Sequence, residues 1–377
     1  YENDSLLLLI RRTELKYLSA LDFKTISEKQ LVNKQMKINE VLKYARTLNQ
    51  HTQLYDILKH RLINKGYIRS DKQKEDLSEL HLIANNSYQG FEAQKLHLLF
   101  QATYYLNSGN YKSAIRYYQE LINLFNDNQH LILNPPIYYL SAIQGILDSL
   151  CIAGLYHETP FFLSKLEELT QNEYSTEFIL HLKTLIYIYK SNSLLQAGNF
   201  EQALELRDKQ ENELLKKVTS LGLESQLRLY LSFAVLGMYT KDYVQARKYM
   251  KKIFSLGKLF CAFPSYKIAR LVNLLLQAEL GNYDFFENEI ISIKRNIRFE
   301  KQTYITEKLI FKFIQGYPLP SYEKARNKRW LQYQKDIQKI EQDKYERQLL
   351  KTFDVLAWIE SKLTQRSLAD ILAEKAH

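Results

Sequence analysis

The sequence predicts an all-α chain: an α-solenoid of antiparallel helix pairs closed by a C-terminal helical cap. Three observations carry this. The 377 residues include only 11 glycines and 6 prolines, against an average usage of about 12% for the two together. A β-sandwich or doubly wound sheet of this length would need more turn residues. The scarce glycines recur at near-constant spacing, and the text between them has helical apolar periodicity. Charged residues at 25% and hydrophobic residues at 46% are ordinary for a folded chain and exclude wholesale disorder.

The turns set the frame. Gly109-Asn110-Tyr111, Gly154-Leu155-Tyr156, Gly198-Asn199-Phe200, Lys241-Asp242-Tyr243 and Gly281-Asn282-Tyr283 follow one another at intervals of 45, 44, 43 and 40 residues. Gly66-Tyr67-Ile68 and Leu21-Asp22-Phe23 extend the series backwards in degraded form. Each anchor is expected to join two amphipathic helices. In the clearest unit, Leu96, Leu99, Phe100, Thr103 and Leu106 share one helix face. Gly109 then supplies a left-handed C-terminal cap. Tyr111, Ala114, Ile115, Tyr118, Leu121 and Ile122 begin the partner helix. Such a pair cannot bury its apolar stripe alone, so neighbouring pairs stack.

Three segments follow: 1–90 as degenerate helical repeats, 91–316 as the regular array, and 317–377 as the cap. Gly316-Tyr317-Pro318-Leu319-Pro320 marks the last boundary. Beyond it, Ser321 to Thr352 holds no glycine or proline and predicts one long charged helix. Phe353, Leu356, Ala357, Ile359 and Leu363 give an apolar face, and Arg366–Ala376 a short final helix.

The repeated turn resembles the tail of a tetratricopeptide repeat, G-[ND]-[YF]-x-x-A. It stands as Gly109-Asn110-Tyr111-Lys112-Ser113-Ala114 and Gly198-Asn199-Phe200-Glu201-Gln202-Ala203, and more weakly as Lys241-Asp242-Tyr243-Val244-Gln245-Ala246. Tyr118 and Met250 fill the large apolar place that follows, where Arg207 departs. Ala102, Ser191 and Ala234 supply the small residue of the first helix. Thr159 and Phe286 stand where the family has alanine. The unit of 40–45 residues also exceeds the family's basic 34. The resemblance covers about residues 90–295. It implies a superhelix whose inner face carries the position six before each turn: Thr103, Asp148, Asn192, Val235 and Leu275. It further implies binding of a protein or peptide partner there. Long-unit relatives of this kind include peptide-responsive regulators with a DNA-binding module ahead of the repeats, which gives an alternative reading.

Signatures of catalysis are missing. There is no G-x-G-x-x-G, no G-x-x-x-x-G-K-[ST], no H-E-x-x-H and no G-x-S-x-G. The 8 histidines are scattered, and Cys151 with His157 reads as a buried thiol near a loop imidazole. No enzyme activity, cofactor or metal is expected. Cys151 and Cys261 lie in apolar text, which predicts two buried thiols and a reducing, cytoplasmic setting. No run of 18 apolar residues predicts a membrane span, and Leu6–Ile10 is too short for a signal sequence.

Charge is uneven. Residues 1–240 hold 26 basic and 26 acidic side chains, whereas 241–351 hold 23 and 12. From Tyr243 to Ala278 there are seven basic residues and no acidic one. Arg247, Lys248, Lys251 and Lys252 fall together on one helix. A solvated lysine face, a dock for an acidic protein segment and nucleic-acid contact are the three readings. The 28 tyrosines and 18 phenylalanines are expected to fill space between helices rather than to stack on bases.

Overall fold

A computed structural model describes residues 4–65, 68, 70–84, 90–132, 134–261, 263–300 and 304–376. Among them there is no strand, and 82% of them are helical. The helices are α1 (Asp4–Ala20), α2 (Glu28–Lys65), α3 (Asp71–Ala84), α4 (Phe91–Asn107), α5 (Tyr111–Asp127), α6 (Ile137–Ala153), α7 (Thr159–Leu169), α8 (Thr176–Gln196), α9 (Phe200–Lys216), α10 (Leu223–Tyr239), α11 (Tyr243–Ser255), α12 (Gly257–Phe260), α13 (Pro264–Glu279), α14 (Phe285–Glu300), α15 (Ile305–Ile314), α16 (Glu323–Gln342), α17 (Arg347–Leu350), α18 (Val355–Thr364) and α19 (Leu368–Ala376).

The anchors end helices as the motif requires. Gly109, Gly154, Gly198 and Gly281 have φ of 76, 77, 75 and 74°, and Lys241 takes the same left-handed conformation at 61°. Around Gly109 and Gly198 the chain closes with a Schellman-type bond, Asn110 N to Tyr105 O at 3.0 Å and Asn199 N to Leu194 O at 2.9 Å. The residue after the turn then opens the next helix. Asn110 Oδ1 accepts from Ser113 N at 3.2 Å, and Asp242 Oδ1 from Gln245 N at 3.1 Å. So the glycine stops one helix and the asparagine or aspartate starts another.

Between the pairs, Ala114, Ala203 and Ala246 are fully buried, as are Ala102, Ser191 and Ala234 on the facing helices. Thr159 replaces alanine without disruption, because its hydroxyl donates to Tyr156 O at 2.8 Å. Helices α4, α6, α8, α10, α13 and α15 touch in succession as a row, with α5, α7, α9 and α11 packed between neighbours. Tyrosine and phenylalanine fill this packing; Tyr187, Tyr249, Phe100 and Phe233 are among the largest inaccessible side chains.

Several expectations are corrected. The stretch from Phe23 to Gly66 should hold two helices, but α2 runs unbroken for 38 residues; Gly66 and Tyr67 themselves lie outside the described residues. Cys151 is buried, whereas Cys261 is exposed, since it follows the four-residue α12 rather than lying in a packed helix. Leu275 is 1% exposed and belongs to the core, not to a groove. The long helix from Ser321 breaks after Gln342 because Asp343 Oδ1 turns back to accept from Tyr345 N at 2.7 Å.

That break directs the C-terminal segment along the row rather than only to its end. Tyr111 Oη donates to Lys344 O at 2.5 Å, Asn192 Nδ2 to Lys351 O at 3.1 Å, and Asp354 N to Tyr239 Oη at 2.7 Å. Glu346 accepts from Ile305 N at 2.5 Å and Thr306 N at 3.0 Å, satisfying the open N-terminus of α15. A β-carbon at Gly109 would meet Lys344 Cγ at 2.8 Å, and one at Gly198 would meet Ala369 O at 2.5 Å. The core extends across the Gly316–Pro320 loop and includes Trp358, Ile359 and Leu372.

Candidate functional site

Where α6, α8 and α10 lie side by side, Lys351 and Thr352, which follow α17, close a cleft of about 110 Å³. Ile188, Leu195, Leu231 and Val235 form apolar walls, and Gln144, Asn192, Ser232, Ser265 and Thr352 supply polar edges. At its centre Asp148 receives three partners. Tyr189 Oη donates at 3.0 Å, Arg228 Nη2 at 3.3 Å and Lys351 Nζ at 3.4 Å. The charged side chains are only 16–18% exposed.

The electrostatics follow from this crowding. Burial alone would raise the Asp148 pKa. The charges of Lys351 and Arg228, with the Tyr189 hydrogen bond, outweigh it and hold the carboxyl below its ordinary range. Burial opposes the Arg228 charge too, and is overcome by Tyr189 and Asp148. Burial pushes the Cys151 thiol, at the cleft wall, up to about 12, so it stays protonated and unreactive at neutral pH. Arg228 uses only Nη2 in its hydrogen bonds; among the described residues its Nε and Nη1 make none. The hydroxyls of Ser232, Ser265 and Thr352 likewise make none there. Two cations and two carboxylates, the mostly buried Asp148 and the exposed Glu224 at the rim, form with the unused donors a binding surface. They do not form a nucleophile–base pair.

A second cleft of about 280 Å³ lies across Cys151 and Lys351, which line both. It is bounded by Tyr156, Gln196, Arg347 and Asp354, and Gln196 Nε2 is buried there without a hydrogen-bond partner. Among the described residues no grouping of three His, Cys, Asp or Glu could hold a metal ion. No helix there is long and apolar enough to cross a membrane.

No family model, curated protein or solved structure matches this chain.

The inner-face positions separate in space. Asp148, Asn192 and Val235 line the first cleft. Thr103 instead turns to Tyr55 of α2 and Tyr118 of α5, whose hydroxyls it meets. The α11 cations are elsewhere, and the acid-free run of sequence is not acid-free in space. Lys248 meets Glu211 of α9 at 3.4 Å, and Arg270 meets Glu289 of α14 at 2.7 Å. Lys252 is half-buried over the rings of Tyr230 and Tyr249, each at 5.5 Å. Arg247 and Lys251 are exposed. Sequence reasoning missed Tyr189, Arg228 and Lys351. Arg228 lies two helical turns before Val235, so the same register could have found it. Nothing in the sequence pointed to Lys351, which arrives from the C-terminal segment.

Proposed function

We propose that this chain is a tetratricopeptide-like α-solenoid scaffold that binds a peptide segment of a partner protein. The row α4–α6–α8–α10–α13–α15 is read as the inner layer, and the C-terminal segment as a brace along it. Peptide enters at the cleft beside Asp148 and continues toward the second cleft past Lys351. One observation carries the reading. A cleft with apolar walls presents unused donors of Arg228, Ser232, Ser265 and Thr352 beside Asp148, Asn192 and Val235, three of the positions that the resemblance assigns to an inner face. Backbone carbonyls and polar side chains of an extended peptide are acceptors of the matching kind, while Ile188, Leu195 and Leu231 offer apolar contact. Asp148 then works as a positioning residue, holding Arg228 and Lys351 in place through its own bonds.

The test is selection from a display library of random dodecapeptides against the whole chain. Enriched peptides should bind the wild type, lose affinity at least tenfold against Arg228→Glu, and lose it again against Ser232→Trp, which fills the cleft. Peptides that bind both variants as tightly as the wild type would overturn the assignment.

A further inference from the structure

The strongest unassigned feature lies on α16, on the side facing away from the protein. Arg326, Tyr333, Ile337 and Ile340 are its buried residues. At 100° per residue, their directions cluster on one side of the helix. Lys324, Lys328, Lys335 and Lys339 fall within an arc of about 60° on the opposite side, and all four are exposed. With a rise of 1.5 Å per residue they make a straight line about 22 Å long, in steps of about 6, 10 and 6 Å. None of the four has an ion-pair partner among the described residues. The acids of the same helix, Glu323, Asp336 and Glu341, lie off this arc. Segregation of this kind is not what a merely soluble helix requires, because lysines four apart repel and interleaved glutamates would relieve them.

We propose that this lysine ridge on α16 docks on the phosphate backbone of nucleic acid. The inference goes beyond the peptide-binding reading and does not depend on it. A protruding helix with a row of ammonium groups matches a row of phosphates, and lysine binds phosphate as a mobile point charge. A helix is about 10–12 Å across, which suits it to a duplex groove about 12 Å wide. An anionic membrane would call for an apolar flank; beside this arc the exposed large apolar side chain is Leu331, at 65% exposure. An acidic peptide would call for pockets between its charges, and the ridge is the outward side of a single helix. The ridge also displaces the α11 segment as the nucleic-acid candidate, since α11 has Glu211 beside Lys248.

The experiment is fluorescence anisotropy of a labelled 20-base-pair DNA duplex with the full chain, from 50 to 200 mM salt. Four phosphate contacts predict a log–log salt slope near −3.6 and roughly a 100-fold loss of affinity over that range. Replacing Lys324, Lys328, Lys335 and Lys339 by Gln should weaken binding at least tenfold and flatten the slope by about 3.6, with the circular dichroism spectrum unchanged. The matched variant Arg247, Lys248, Lys251 and Lys252→Gln should bind within about twofold of wild type. No binding at 50 mM salt overturns the proposal. So does a loss confined to the α11 variant. Equal affinity for poly-glutamate of the same charge, or for vesicles with 30% phosphatidylserine, would also overturn it, showing a surface with no preference for nucleic acid.

Discussion

Gly237→Ala sets two effects against each other. Gly237 lies inside α10 with a right-handed conformation, so alanine should gain about 1 kcal/mol from helix propensity. The added β-carbon, however, would stand 2.8 Å from Asp242 O, 2.9 Å from Ala246 N and 3.1 Å from Ala246 Cβ. The first two atoms are joined by the opening hydrogen bond of α11, at 3.0 Å. They are backbone, and cannot swing aside as the end of a lysine could. Forcing a methyl into a crossing this close costs about 1–3 kcal/mol, so overpacking wins and the net loss should be about 1 kcal/mol. Equilibrium urea unfolding, followed by far-UV circular dichroism, measures it. Ala246→Gly in the same background should recover part of the loss, because the two sites touch and their effects should not add. A Gly237→Ala protein about 1 kcal/mol more stable than wild type would refute the crossing of α10 on α11 at this point.

Ala114→Leu, at a fully buried crossing of α5, should cost about 1–3 kcal/mol; an unchanged urea midpoint would contradict the packing of that pair. Asp148→Ala should lose about 2 kcal/mol, because Arg228 and Lys351 are then left as two uncompensated cations in a mostly buried site. Asp148→Ala in combination with Lys351→Met should restore part of that loss. Burial lowers the pKa of His51, His81 and His181 from 6.5 in the folded protein, with Arg228 adding to the effect at His181. The unfolded chain therefore takes up these protons first as the pH falls, so this stability is present above 6.5 and lost below it. The urea midpoint should drop between pH 7.5 and pH 6.0; a rise over that window would contradict it.

Much of the helical frame was legible because its punctuation is local. A left-handed glycine and a capping asparagine or aspartate act within six residues, so Gly109-Asn110 and Lys241-Asp242 could be placed from the text alone. Burial of Ala114, Ala203 and Ala246 followed from periodicity in the same way. What escaped depends on contacts distant in sequence. Gly109 and Gly198 are needed for their φ, and also because Lys344 and Ala369 pack against them. The break at Asp343 rests on one side-chain bond that a charge pattern does not reveal. Asp148 and Asn192 were reachable from the repeat register, but their common partner Lys351 lies 203 residues from Asp148. The basic run of 243–278 shows the converse, since it is acid-free in sequence while Glu211 and Glu289 reach it from other helices.

Occupancy of the cleft around Asp148, Arg228 and Lys351 by a partner peptide can be read from the backbone amides that line it. Hydrogen–deuterium exchange on the full chain, with and without a peptide from the display selection, tests it most directly. Peptide binding should slow exchange in 144–152, 188–196, 224–235 and 347–354 together, because these four stretches line the one cleft. Protection confined to the outer helices α5, α9 and α11, with these stretches unchanged, would contradict it.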